Sequence, residues 1–179
     1  MSGPATICLH GPESTGKSTL CALLATRFGA ELVTEYGRSF CETYGTELTM
    51  DDLVDIAETH DAMTVAAKSR GGSHLILDTD PLMTAVWADM LFGERDPWFD
   101  AWTGTADLYL LLDIDIPWVD DGTRMFGAPA ERSRFFELSR AELERRGVRW
   151  ALISGPAAET RLAGALAAIE AAGLGRPAG

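Results

Sequence analysis

The sequence predicts an α/β fold: a single domain in which a five-stranded parallel sheet is covered by helices on both faces. Short apolar segments alternate with helical segments five times along the chain. The apolar segments are continuous runs, which is typical of strands buried on both faces. A length of 179 residues, of which 46% are hydrophobic, suits one globular domain with its own core.

Each predicted strand is a short apolar run that ends at a polar residue or a glycine. The five runs are 6–10, 31–34, 74–78, 108–112 and 150–153. Apolar residues at helical spacing predict the segments between them. The predicted helices are 17–28, 38–44, 49–70, 82–91, 130–146 and 156–172. Because strands and helices alternate without a linker, we expect one domain over residues 1–173 and a flexible tail over 174–179.

Local signals support several of these boundaries. Gly29 is expected to stop the first helix. Thr49 and Asp52 have the spacing of a capping box, and Asp80 followed by Pro81 is a favourable helix start. The stretch 93–104 is predicted to be a loop, and 116–134 a lid region whose first part is irregular. The histidines, His10, His60 and His74, are expected to be ordinary half-buried residues.

Composition excludes some classes of function. The chain has 15 basic and 27 acidic residues, a net charge of −12, and no basic face that would bind nucleic acid. A local nucleotide site is still compatible with this charge. No apolar run is long enough to span a membrane, and residues 1–4 do not resemble the start of a signal peptide. We therefore expect a cytoplasmic protein that binds a small molecule, with no nucleic-acid or membrane partner; its oligomeric state is left open.

Residues 11–18, Gly-Pro-Glu-Ser-Thr-Gly-Lys-Ser, fit the phosphate-binding pattern G-x-x-x-x-G-K-[ST] between a predicted strand and a predicted helix. The glycines allow backbone N–H groups to turn toward phosphate oxygens, and the helix N-terminus favours an anion. Lys17 is expected to reach the β- and γ-phosphates, and Ser18 to bind Mg²⁺. The pattern predicts a P-loop NTPase/kinase fold that binds ATP with Mg²⁺. The expected nucleotide-binding residues are Gly11, Pro12, Glu13, Ser14, Thr15, Gly16, Lys17, Ser18 and Thr19.

Acidic residues follow two of the predicted strands, at the edge where ligands bind in parallel sheets. Asp78 is the expected second metal ligand. Asp80 can contact substrate, cap the helix at Pro81, or do both. Glu35 can accept the proton of a substrate hydroxyl as a general base, although a surface ion pair with Arg38 is the alternative. Arg38 can also hold the substrate or the transferred phosphate.

The segment 118–124, Trp-Val-Asp-Asp-Gly-Thr-Arg, has the composition of a mobile lid. An arginine that closes on the phosphates stabilises charge in the transition state. Arg124, Arg132 and Arg134 are candidates, and a solvated charged helix is the alternative for them. Trp118 can either stack on a flat ring or pack within the protein.

Together the segments 11–18, 35–38 (Glu-Tyr-Gly-Arg), 78–80 (Asp-Thr-Asp) and 118–124 resemble the ribosylnicotinamide kinase domain of bacterial NadR proteins, in order and spacing, over about residues 5–170. The resemblance implies the reaction ATP + nicotinamide riboside → ADP + nicotinamide mononucleotide. It implies catalytic roles for Lys17, Glu35, Asp78 and Arg124, and metal binding by Ser18 and Asp78. The residues expected on the substrate side are Glu35, Tyr36, Arg38, Asp80, Trp118 and Asp121.

The sequence differs from NadR proteins in one respect. They carry a nucleotidyltransferase domain ahead of the kinase, whereas this chain begins at the first kinase strand. The reaction class is therefore predicted more firmly than the acceptor. Two alternatives are a P-loop kinase for another nucleoside or a vitamin alcohol, and a non-catalytic nucleotide sensor or regulatory ATPase. Glu35 and Arg38 argue against the sensor, because it has little need of a proton acceptor beside the phosphates.

Overall fold

The computed structural model describes residues 3–175 and shows the predicted parallel sheet. The strands are β1 (Ala5–His10), β2 (Glu31–Val33), β3 (His74–Asp78), β4 (Leu108–Leu112) and β5 (Trp150–Ile153). Their order across the sheet is β2-β3-β1-β4-β5, and every neighbouring pair is parallel. Because β1 lies at the centre, its carboxyl end is flanked by the ends of β3 and β4. Of the predicted tail, residues 176–179 lie outside the described part.

Seven helices connect and cover these strands within the described residues. They are α1 (Lys17–Phe28), α2 (Tyr36–Tyr44), α3 (Met50–Ser69), α4 (Pro81–Phe92), α5 (Pro97–Ala101), α6 (Pro129–Arg146) and α7 (Ala158–Ala171). Helix α5 was not predicted, since residues 93–104 were expected to form a loop. Asp96 caps this helix by accepting a hydrogen bond from the Trp98 N–H, and Phe99 is buried beneath it. Five residues are too few to show helical periodicity, which explains the error.

The sheet is covered on both faces, as predicted. Alternate residues of β1 point to opposite sides: Ile7 and Leu9 pack with α1 and α7, whereas Cys8 belongs to the core cluster on the other face. Helices α3, α4 and α6 lie on that second face. The strands β1, β3 and β4 therefore read as continuous apolar runs because nearly all of their residues are buried on one side or the other.

Two predicted helix starts are present. Thr49 and Asp52 form the reciprocal hydrogen bonds of a capping box at the start of α3. The Asp80 carboxylate accepts from the Leu82 N–H at 2.9 Å and begins α4. Within residues 3–175, no helix is both long enough and apolar enough to cross a membrane.

Candidate functional site

The loop between β1 and α1 has the backbone of a phosphate-binding loop. Gly11, Ser14 and Gly16 have positive φ angles of 127°, 57° and 81°. A Cβ at Gly11 would lie 3.0 Å from the carbonyl oxygen of Leu112, so a side chain does not fit there without movement. Within the described structure no side chain caps α1, which leaves its first N–H groups available to an anion.

Lys17 lies over this loop. Its Nζ donates a hydrogen bond to the carbonyl oxygen of Pro12 at 2.6 Å, and the Thr15 hydroxyl donates to the same oxygen at 2.8 Å. The lysine is only 8% exposed. An ammonium group held at the mouth of an amide-lined loop suits a phosphate oxygen as its ligand.

Ser18 and Asp78 meet at the carboxyl edge of the sheet, as predicted. The Ser18 hydroxyl donates to Oδ2 of Asp78 at 2.6 Å, while Oδ1 of Asp78 is buried and has no hydrogen-bond partner within the described residues. An unpaired buried carboxylate oxygen beside a hydroxyl is a suitable pair of ligands for Mg²⁺, which prefers oxygen and retains several waters. The residues present therefore fit the predicted metal.

Two cavities open at this edge and share one wall. The nucleotide cavity is lined by the P-loop and has an empty volume of about 1230 Å³, including space open to solvent. The acceptor cavity lies among α2, α3, α4 and residues 123–125, with about 690 Å³ measured in the same way. The residues that line both are Glu13, Glu35, Arg38, Met83, Trp87 and Arg124. A molecule in one cavity is thus next to a molecule in the other.

Glu35 lies at this shared wall because it is the residue between β2 and α2. Its side chain is half-buried, and this burial raises the pKa of its carboxyl group, while the charges of Lys17 and Arg38 oppose the increase. The carboxylate is a stronger proton acceptor than an exposed glutamate would be. Its place beside the P-loop is compatible with the predicted role of a base.

Glu13 joins the P-loop to the lid region. One of its carboxylate oxygens, Oε1, accepts hydrogen bonds from the N–H groups of Met125 at 2.8 Å and Phe126 at 2.6 Å. The indole N–H of Trp118 donates to the same oxygen at 3.4 Å. The indole ring of Trp118 packs on Gly127, where a Cβ would lie 3.0 Å from it. Trp118 therefore packs within the protein here, beside the cavities rather than in their lining.

The predicted lid arginines differ in position. Arg124 donates to the Ser14 hydroxyl at 3.2 Å and lines both cavities. Arg132 donates to the Ser14 carbonyl oxygen at 3.1 Å, and Arg134 is exposed on α6. Only Arg124 of the three therefore lines the cavities.

Asp121 pairs with two arginines of the site. It accepts a hydrogen bond from Arg38 at 2.9 Å, and Nε of Arg124 lies 3.2 Å from it in an ion pair without hydrogen-bond geometry. Partial desolvation raises the pKa of Asp121, but hydrogen bonds from Thr123 and Arg38 and the charge of Arg124 outweigh it and lower the pKa to about 2. The lid carboxylate stays ionised and holds both guanidinium groups near the cavities.

Besides Trp118 and Asp121, two more residues predicted on the substrate side, Asp80 and Tyr36, lie outside the lining of both cavities. Asp80 is 2% exposed, and its carboxylate accepts from the Leu82 N–H and the Tyr109 hydroxyl. Burial raises the pKa of Asp80 to about 6. These contacts favour the helix-capping alternative over a substrate contact. Tyr36 packs against Phe40 and lines a separate groove.

Two residues at the site were not singled out from the sequence. His60 is 1% exposed, more buried than expected, and lines the acceptor cavity; its place on the apolar stripe of α3 was the available signal. Arg161 is 3% exposed and donates to the carbonyl oxygens of Thr15 and Gly155, each at 2.7 Å. It thereby ties the P-loop to the loop after β5, an arrangement between segments distant in sequence that no local pattern signals.

Comparison with protein families and curated proteins agrees with this geometry. The model of the family described as "AAA domain" matches residues 6–161. The chain is 31% identical over 149 residues to the trifunctional NAD biosynthesis/regulator protein NadR of Escherichia coli (strain K12), covering 80% of this chain and 36% of that protein. It is 32% identical over 139 residues to NadR of Salmonella typhimurium, covering 74% and 34%. The chain thus spans about a third of these relatives.

Solved structures show the same fold. An NadR protein in complex with NR superposes with a TM-score of 0.81 at 24% identity, over 98% of this chain and 51% of that chain. An NadR protein in complex with NAD and AMP-PNP gives 0.73 at 25% identity, over 94% and 49%. Thymidylate kinase from Ehrlichia chaffeensis gives 0.70 at 14% identity, over 94% and 100%. The sheet and helices are those of P-loop kinases.

Proposed function

We propose that this chain, which belongs to the AAA domain family, is an ATP- and Mg²⁺-dependent phosphotransferase. Its proposed acceptor is nicotinamide riboside, and its proposed product is nicotinamide mononucleotide. The observation that carries this proposal is the wall shared by the two cavities, where Glu35 and Arg124 lie beside the P-loop. A nucleotide sensor needs one cavity, whereas a kinase needs a second one adjacent to the first.

The comparisons support both substrates. AMP-PNP, bound in one of the similar NadR structures, is an analogue of ATP. The curated relatives are NAD biosynthesis proteins, and nicotinamide mononucleotide is a precursor of that cofactor. The four sequence segments that resemble the ribosylnicotinamide kinase domain contribute residues to or beside the two cavities. An apolar acceptor cavity with a charged entrance also suits a nucleoside, which has a flat base and a hydroxylated sugar.

Groups of the nucleotide cavity and of the shared wall have complementary roles in phosphoryl transfer. The P-loop amides and Lys17 bind the phosphates and hold the γ-phosphoryl group toward the acceptor cavity. Ser18 and Asp78 would hold Mg²⁺, which when bound neutralises charge on the phosphates. Glu35 accepts the proton of the acceptor hydroxyl. Arg124 stabilises the negative charge of the transferred group once its pairing with Asp121 is exchanged for phosphate.

The test is a measurement of ADP release by the purified protein. We expect release to require ATP, Mg²⁺ and nicotinamide riboside together, and mass spectrometry to show nicotinamide mononucleotide as product. A panel of other nucleosides and vitamin alcohols serves as the comparison. Faster turnover of another acceptor would keep the kinase and reject the substrate, whereas nucleotide binding with no acceptor in the panel would favour a sensor or a regulatory ATPase.

A further inference from the structure

His60 is a buried histidine whose hydrogen bonding is incomplete. It lies on α3 with 1% exposure, and its Nε2 is buried without a hydrogen-bond partner within the described residues. Within the same residues His10 also has one unpaired ring nitrogen, Nδ1, but its Nε2 lies 3.0 Å from the Ser139 carbonyl oxygen and the residue lines neither cavity. His74 places Nε2 2.7 Å from the carbonyl oxygen of Leu174. Buried polar atoms are nearly always paired, so an unpaired one calls for a partner that the protein does not supply.

The surroundings of His60 indicate where that partner belongs. The imidazole lines the acceptor cavity, whose walls include the apolar side chains of Leu53, Ile56, Met83 and Trp87. The charged residues of the same cavity are Glu13, Glu35, Arg38 and Arg124, and all four also line the nucleotide cavity. The charged residues therefore lie on the side that the acceptor cavity shares with the nucleotide cavity. His60 is a polar group in the part of the acceptor cavity that is not shared.

We propose that His60 is a specificity-determining residue that makes a hydrogen bond to the polar substituent on the base of the acceptor. In nicotinamide riboside this substituent is the carboxamide, so the inference rests on the proposed function. It adds a residue that recognises the base of the substrate. A carboxamide has both donor and acceptor atoms, and a neutral imidazole has one of each, so the two groups are complementary.

The charge of His60 suits this substrate as well. Burial lowers the pKa of His60 to about 4, against the opposing charges of Asp78 and Asp61. The imidazole is therefore neutral at physiological pH and does not repel the positively charged pyridinium ring of nicotinamide riboside. A hydrogen bond to His60, which is 1% exposed, also discriminates strongly, because an analogue without the substituent leaves the imidazole unpaired.

The experiment compares wild type with His60→Leu, which removes the polar atoms at similar volume, and His60→Gln, which retains a donor and an acceptor. KM and kcat are measured at saturating ATP for nicotinamide riboside and for the riboside of unsubstituted pyridine. We expect His60→Leu to raise KM for nicotinamide riboside about tenfold, with kcat and KM for pyridine riboside within about twofold of wild type. His60→Gln should recover part of the loss. His74→Leu is the control. His74 lies at the start of β3 and lines neither cavity, so both KM values should be unchanged.

The thermal shift produced by nicotinamide riboside gives a readout that does not depend on turnover. It should be smaller for His60→Leu than for wild type, although the unliganded variant should melt no lower, because no protein hydrogen bond to Nε2 is lost. Equal KM values for nicotinamide riboside in wild type and His60→Leu would overturn the inference. An equal rise in KM for both ribosides would also overturn it, since that pattern indicates altered packing. Failure of the proposed function is distinct, because it appears in wild type as no turnover and no thermal shift with either riboside.

Discussion

The hydroxyl of Ser18 donates to Oδ2 of Asp78 across 60 positions of sequence, at a distance of 2.6 Å. This contact exists because β1 and β3 are adjacent and parallel, with Leu9 opposite Asp78 in the register. The start of α1 and the end of β3 consequently meet at one edge of the sheet. The two predicted metal ligands are therefore positioned by the fold and need no rearrangement to approach each other.

Lys17→Ala should reduce kcat by at least about 100-fold, because it removes the charge that stabilises the transferred phosphate. The fold should be retained, since the ammonium group contacts a loop carbonyl oxygen rather than the core. Steady-state kinetics and a thermal melt measure the two effects. Lys68→Ala is a matched control, as Lys68 is the other lysine of the chain and lies on α3. Full activity of Lys17→Ala would exclude phosphate binding by this residue.

Glu35→Gln should lower kcat by about 10²–10⁴-fold with little change in ATP affinity, because it removes the proton acceptor and keeps the shape of the side chain. In wild type, activity should fall as the pH decreases through the pKa of Glu35, which burial raises above 4.5. The pH–rate profile and a nucleotide titration measure both effects. Glu42→Gln, on the exposed side of α2, is the control. Equal losses in turnover and ATP affinity would remove Glu35 from the role of base.

Arg124→Ala should slow phosphoryl transfer by about 10³-fold, with a modest change in acceptor binding, because Arg124 lines both cavities and its charge acts mainly in the transition state. Single-turnover kinetics measure the transfer step separately from product release. Arg134→Ala is the matched control, since Arg134 is an exposed arginine of the same region. If the Arg124 variant transferred phosphate at the wild-type rate, the arginine would have no catalytic role.

Asp80→Asn should change how stability depends on pH. Burial raises the pKa of Asp80 from 3.8 to about 6, so the folded protein binds this proton more tightly than the unfolded chain does. Stability from this group is present below about pH 4 and is lost as the pH rises through about 6. Asparagine does not ionise, so this loss, at most about 3 kcal/mol, should be absent in the variant.

Urea unfolding of wild type and Asp80→Asn at pH 5 and pH 7.5 tests this prediction. The free energy of unfolding of the variant relative to wild type should increase toward pH 7.5. Asp96→Asn, which alters the equivalent cap of α5, is the control for the loss of a capping carboxylate. A relative stability independent of pH would show that Asp80 does not titrate in this range.

Most of the fold could be predicted because it is encoded locally. The runs 74–78, 108–112 and 150–153 form the strands β3, β4 and β5 with the predicted bounds. β3 and β4 are almost wholly buried, and β5 is apolar although its Leu152 is 49% exposed, so apolar composition alone identifies all three. The exception, α5, is stabilised by the burial of Phe99, a tertiary contact that no periodic pattern indicates.

The site could be predicted only in part. The P-loop was recognisable because its backbone requires glycines at fixed positions. The contacts of Glu13 with Met125 and Phe126 join segments more than 100 residues apart, and the position of the lid decides them. Tyr36 shows the limit of reasoning from a short segment: it adjoins Glu35, but the start of α2 turns its ring toward Phe40.

The three hydrogen bonds to Oε1 of Glu13 have a consequence for ligand affinity. Ordering a loop costs conformational entropy, and a segment that folds only when ligand arrives subtracts this cost from the binding energy. Here the N–H groups of Met125 and Phe126 are held by Glu13, a side chain of the P-loop itself, so a ligand need not supply these contacts. On the proposed function, Arg38 and Arg124 would exchange Asp121 for a phosphate while this backbone contact is kept. The entropic cost of ordering this segment should consequently be a small part of the free energy of nucleotide binding.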